Sequence, residues 1–278
     1  MTDHPPDNSA ELASPSYVLP ALDTDYLLRD SMRGVRFLLE YAKAEELLRA
    51  WGVRSTVVVF GSARVMPAGS SDPASASTPL PPHARPRPGP DSARWYEEAR
   101  KLGRIVSERG GALTADNGIR DNVIATGGGP GIMVAANRGA REAGAPTIGF
   151  NIQLPHEQQP NAYVTPELSF QFHYFAMRKM HFAMRAAALV VFPGGFGTFD
   201  EFFEILTLVQ TGKMKRVPIV VVDHGYWSRV VNFDLLVEEG MITPEERDTL
   251  VFVDTAEEAW QALIAGGLKV PGAKHSPP

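Results

Sequence analysis

Thr56-Val57-Val58-Val59-Phe60-Gly61-Ser62 is an uninterrupted apolar run that stops on a glycine. A strand with one wet face alternates apolar and polar residues, whereas a continuous β-branched run suits a parallel strand covered on both faces. Outward from it, the same arrangement recurs. Val123-Ile124-Ala125-Thr126 runs into a glycine turn and a helical stretch over residues 132–143. Residues 146–150 and Leu189-Val190-Val191-Phe192 read as strands, the second followed by another glycine turn and a helix over 199–211. Residues 218–222 and 250–253 are further strands, and 168–172 is a candidate strand feeding a helix near 175–187. Helical periodicity also covers residues 25–50, through Leu27, Leu28, Met32, Val35, Leu38, Leu39, Leu47 and Leu48, and resumes over 93–109. Strand and helix alternate throughout, which predicts an α/β fold: a Rossmann-like, doubly wound, mostly parallel sheet with helices on both faces. Such sheets bind ligands at the carboxyl ends of their strands, where the strand order reverses. The turns after Phe60, Thr126 and Phe192 are therefore the places where a site is expected.

Composition narrows the function. The 278 residues are 44% hydrophobic and 21% charged, with a formal net charge of −5. Without a basic field, duplex nucleic acid is an unpromising partner, while one small anion needs only a few local donors. The absence of cysteine excludes thiol nucleophiles, disulfides and Cys-ligated zinc. The N-terminus has no basic start followed by an apolar stretch, and no apolar run approaches membrane-spanning length, so a cytoplasmic protein is expected. Residues 1–22 read as a disordered arm, 23–270 as one nucleotide-binding domain and 271–278 as a tail. The Ser/Ala/Pro/Gly-rich residues 67–90 read as a flexible insertion.

The two glycine turns carry the chemistry. In Gly127-Gly128-Gly129-Pro130-Gly131, four of five residues are glycine, more than a tight turn needs. Glycine lets backbone and ligand approach closely, and the helix behind offers free N–H groups and the positive end of its dipole. Pro193-Gly194-Gly195-Phe196-Gly197-Thr198 repeats the logic with a hydroxyl added. Neither turn fits the dinucleotide fingerprint, and no Walker P-loop is present. Two readings of Glu201 stand side by side: the partner of Thr198 in a capping box, or a catalytic carboxylate. Glu204, one turn on, faces the same cavity or solvent. Arg178, Lys179, His181 and Arg185 form a cluster that reads as a solvated face or as part of a site, and His173 reads as a packed residue.

Together, Gly127-Gly128-Gly129-Pro130-Gly131-Ile132-Met133, Met177-Arg178-Lys179-Met180 and Pro193-Gly194-Gly195-Phe196-Gly197-Thr198-Phe199-Asp200-Glu201 resemble the LONELY GUY family, in particular its longer bacterial members. The resemblance covers residues 56–265. It implies a phosphoribohydrolase acting on nucleoside 5′-monophosphates, cytokinin precursors among them, with no metal or other cofactor. By the same resemblance Arg178 and Glu201 are the catalytic residues. Gly194, Gly195, Gly197 and Thr198 form the phosphate turn, and Lys179, Gly61, Ser62, Gly128, Gly129 and Gly131 complete the nucleotide cleft. It further implies a homodimer or larger homo-oligomer with the site near the interface. Residues 151–174, with Gln153, His156 and His173, are the candidate wall for base selection. Relatives often carry a lysine decarboxylase label, for which the sequence shows no Schiff-base lysine context. A nucleotide or phosphorylated-cofactor carrier on the same fold is the competing expectation.

Overall fold

The computed structural model describes residues 7–69, 89, 91–113, 118–154 and 159–271. Most of the 67–90 insertion, the 272–278 tail and His156 lie outside them. The chain divides into two compact units, residues 1–43 and 44–278.

The first unit holds α1 (Ser9–Leu12), a 3-10 turn at Pro15–Tyr17, α2 (Thr24–Leu27), a second 3-10 turn at Asp30–Met32 and the start of α3 (Arg33–Ala50). The single helix expected over 25–50 is thus broken. Asp23 accepts a hydrogen bond from the Tyr26 amide and starts its own short helix. The Arg36 guanidinium donates to the Leu27 and Arg29 carbonyls, both at 2.7 Å, and so satisfies acceptors that the break frees.

The second unit is the α/β body. Its strands are β1 (Thr56–Phe60), β2 (Val123–Thr126), β3 (Thr147–Ile152), β4 (Ser169–Phe172), β5 (Ala186–Val191), β6 (Ile219–Val222) and β7 (Leu250–Val253). Its helices are α4 (Ser92–Arg109), α5 (Ile132–Glu142), α6 (Phe175–Arg185), α7 (Phe196–Gln210), α8 (His224–Val230), α9 (Phe233–Glu238), α10 (Pro244–Arg247) and α11 (Ala256–Ala265). The strands form one sheet in the order β4-β3-β2-β1-β5-β6-β7, and all six pairings are parallel. The continuous run of β1 is buried at all five positions, as a central parallel strand requires.

Period-two alternation splits the central strands β1 and β5 between two cores. Val58, Phe60, Leu189 and Val191 face a cluster built with Phe182 of α6, Phe202 of α7 and Trp227 of α8. Val57, Val59, Ala188 and Val190 face the opposite cluster, with Tyr96 and Leu102 of α4, Ile132 of α5 and Trp260 of α11. Strand order reverses between β1 and β5, so the expected binding crevice lies above those two strands.

Candidate functional site

A cavity of about 880 Å³ opens at that reversal. The loop after β1 (Gly61 to Val65) and the turn after β5 (Pro193 to Phe199) form its two lips. Arg178 and Glu201 line one end, on the α6 and α7 side of the sheet, and Trp95 of α4 lines the other. The lips are sewn together at their base. The Phe192 amide donates to the Phe60 carbonyl at 2.8 Å, and the Ser62 amide to the Pro193 carbonyl at 3.0 Å.

The second glycine turn leads into α7 through Gly195 at the cap position, and no side chain caps the helix there. Its first-turn amides therefore point at the cavity without a side-chain acceptor, the arrangement that suits an anion. A Cβ built on Gly195 or Gly197 meets nothing within 4 Å, so both glycines leave the space above the turn open. Gly194 serves packing instead: a Cβ there would lie 2.1 Å from Thr198 Oγ1.

The capping-box reading of Thr198 and Glu201 is corrected by the position of the helix start. Phe196 begins α7, so Thr198 already lies inside the first turn. Capping boxes do occur, at Thr243 with Glu246 and at Thr255 with Glu258. Glu201 instead receives Arg178 Nη1 on Oε1 at 2.6 Å. Arg178 is 8% exposed, donates Nε to the Phe150 carbonyl at 2.7 Å, and lies over the Phe182 ring. Burial raises the Glu201 pKa above the ordinary carboxylate range; Arg178 opposes that rise. The site thus holds a desolvated carboxyl group fixed by one guanidinium.

The first glycine turn is used differently. Gly128 and Gly131 have φ of +69° and +72°, which glycine alone adopts freely, and both are buried. A Cβ on Gly128 would lie 2.5 Å from Asn151 Nδ2, and on Gly131 2.2 Å from the Ser62 carbonyl oxygen. One on Gly127 would lie 2.4 Å from Arg178 Nη2. A polar network that the sequence did not announce holds this turn. Thr126 Oγ1 accepts from the Gly128 amide and donates to Asn137 Oδ1. Asn161 donates to the same Asn137 oxygen, to the Gly129 carbonyl and, through its amide, to the Gly128 carbonyl. Gly128, Gly129 and Gly131, expected in the nucleotide cleft, do not line the cavity; Met133 is the α5 residue that reaches its wall.

Other expected residues fall in different places. Lys179 binds Asp200 at 2.7 Å and Glu204 at 3.0 Å, beside a separate shallow hollow on α6 and α7. Burial pulls its pKa down, but the two carboxylates outweigh burial and leave it raised. Arg185 pairs with Glu45 at 2.8 Å, both nearly buried, and belongs to the fold. His173 contacts Gln153 at 3.2 Å across β4 and the end of β3. His181 packs against Phe150 and Phe172 in the core.

The sequence reading missed Arg64, Trp95 and Tyr226 in the wall. Tyr226 donates its hydroxyl to the Gly194 carbonyl at 2.6 Å. Asp223, left-handed at φ +74° and buried, accepts from Trp95 Nε1 at 2.6 Å, from the Tyr226 amide at 2.6 Å and from Arg94. It ties the two helix layers together behind the cavity. The available signals were a cation four residues past the end of β1 and an Asp directly after an apolar strand.

A family model described as possible lysine decarboxylase matches residues 133–263. The chain is 32% identical over 146 residues to the cytokinin riboside 5'-monophosphate phosphoribohydrolase LOG3 of Arabidopsis thaliana, covering 51% of this chain and 66% of that protein. Against LOG7 of the same plant, also a cytokinin riboside 5'-monophosphate phosphoribohydrolase, identity is 30% over 174 residues, covering 61% and 73%. Among solved structures, a molybdenum cofactor binding protein from Rippkaea orientalis is similar at a TM-score of 0.46 and 15% identity, over 76% of this chain and 96% of that one.

Proposed function

The chain belongs to the LONELY GUY family, and on that premise we propose that it is a nucleoside 5′-monophosphate phosphoribohydrolase. It would release free base and ribose 5-phosphate from AMP or an N6-modified relative such as a cytokinin riboside monophosphate. The observation that carries this reading is the Arg178–Glu201 pair at 2.6 Å, at one end of a cavity whose middle is the uncapped start of α7. Phosphate on the α7 amides, with the Thr198 hydroxyl beside them, would place the ribose toward Glu201.

The chemistry follows from that placement. As the C1′–N bond breaks, its electron pair leaves with the base and positive charge builds on the ribose. The Glu201 carboxylate stabilises that charge, and does so more strongly because the site is desolvated. Water then adds its oxygen to C1′, and its proton ends on the departing base. Arg178 positions Glu201 and offers its remaining N–H groups to the sugar or the base. Phosphate anchoring contributes by fixing the ribose before reaction.

A decarboxylase using a lysine Schiff base needs a neutral amine, usually obtained by burial that lowers the lysine pKa. Lys179 has the opposite setting, held by two carboxylates with its pKa raised.

The test is incubation of the protein with AMP, N6-isopentenyl-AMP and pyrimidine monophosphates, followed by chromatography for base and ribose 5-phosphate. Both products in equal amounts support the reading. Tight nucleotide binding with neither product turns it toward a carrier.

A further inference from the structure

A phosphate monoester carries close to two negative charges at neutral pH. Holding it in a protein crevice on backbone amides alone leaves most of that charge uncompensated. Each cation near the cavity is therefore worth tracing to its partner. Arg178 is committed to Glu201 and the Phe150 carbonyl. Lys179 is held between Asp200 and Glu204. Arg94 is drawn to Asp223 and Asp91. Arg64 is different: it lines the cavity, is exposed, and its guanidinium has no partner among the described residues.

Local geometry aims Arg64 at the same place. Its amide donates to Ser62 Oγ at 3.0 Å, which closes the loop after β1 into a tight turn. The Ser62 hydroxyl proton, which has no acceptor among the described residues, can then donate outward. The Ser62 amide in turn bonds to the Pro193 carbonyl, directly before the Gly194 to Thr198 turn. Arg64 and Ser62 thus stand on the lip facing the open start of α7.

We propose that Arg64 is the residue that supplies the counter-charge for the 5′-phosphate, completing with the Ser62 hydroxyl and the α7 amides a site specific for a phosphate dianion. The inference rests on the phosphoribohydrolase reading and assigns phosphate selection to a residue separate from the Arg178–Glu201 pair. A nucleoside lacking the phosphate gains nothing from Arg64.

Calorimetry with ribose 5-phosphate and with ribose, beside kinetics with AMP and adenosine, tests it on the wild type, Arg64→Ala and Arg64→Lys. Arg64→Ala should keep the wild-type melting temperature, because its guanidinium makes no bond to a described residue. It should weaken ribose 5-phosphate binding and raise KM for AMP about 10- to 100-fold, with kcat nearly unchanged. Adenosine turnover should not move, and Arg64→Lys should recover part of the affinity. The wild type should bind ribose 5-phosphate more tightly as pH rises through about 6, where the phosphate loses its second proton, and Arg64→Ala should flatten that rise. Unchanged AMP and ribose 5-phosphate binding in Arg64→Ala would overturn the proposal, as would equal losses for AMP and adenosine. Failure of the wild type to bind or cleave AMP would instead defeat the phosphoribohydrolase reading itself.

Discussion

The turns at Gly127–Gly131 and Gly194–Gly197 look alike as sequence and differ in what surrounds them. Around the first, the protein occupies the room the missing side chains leave: Arg178 at Gly127, Asn151 at Gly128, Ser62 at Gly131. Around the second, Gly195 and Gly197 face open space at the start of an uncapped helix. One set of glycines lets the protein pack against itself, and the other leaves room for a ligand. Glycine density alone does not distinguish the two; the space above the missing Cβ does.

Substituting one glycine in each turn turns this contrast into a measurement. Gly131→Ala forces a left-handed backbone onto alanine and drives Cβ into the Ser62 backbone. A loss of about 4 kcal/mol in denaturant unfolding is expected from strain plus overpacking. A loss below about 1 kcal/mol would show that the first turn tolerates a side chain and is not fixed by packing.

The same division runs through two arginines of α6. Arg178 serves the cavity, whereas Arg185 holds Glu45 at 2.8 Å. Arg185→Ala should cost about 2 kcal/mol of stability, because Glu45 loses one charge-assisted bond but keeps Arg49 at 2.6 Å, with turnover per folded molecule retained. Its bond from Arg185 holds the Glu45 carboxyl below the usual carboxylate range. The pair's contribution is therefore present above the unfolded carboxylate pKa and lost as pH falls through the lower, folded value. Wild type and Arg185→Ala should converge in melting temperature toward acid. Parallel curves would contradict that assignment.

Gly197→Ala carries the smallest stability effect and the opposite sign. Alanine is the better helix former, so the variant should gain up to about 1 kcal/mol, while its methyl group enters the phosphate's space and raises KM for AMP. Unchanged affinity would place the phosphate elsewhere.

Most of the layout was legible because buried parallel strands announce themselves. Thr56–Phe60 and Ile219–Val222 are continuous apolar runs, and the strand reversal between β1 and β5 put the cavity where alternation predicted it. The break before α3 was not legible, because it depends on Asp23 and Arg36 competing for backbone groups that periodicity ignores. The Thr198-x-x-Glu201 spacing misled because a cap is defined by where the helix starts, and Gly195 starts it earlier. The Thr126–Asn137–Asn161 network and Asp223's ties to Trp95 and Arg94 join residues distant in sequence, so only the fold reveals them.

Glu201→Gln bears most directly on the central claim, that a buried carboxylate fixed by Arg178 drives cleavage beside the open turn. A raised folded pKa means that ionised Glu201 costs stability at neutral pH, a cost absent below the unfolded carboxylate pKa and growing as pH rises toward the folded one. Glu201→Gln keeps an acceptor for Arg178 Nη1 but takes away that buried guanidinium's counter-charge, so the variant should still fold while kcat for AMP falls about 10²- to 10⁴-fold. A variant that melts like the wild type and still releases base and ribose 5-phosphate at the wild-type rate would contradict the account.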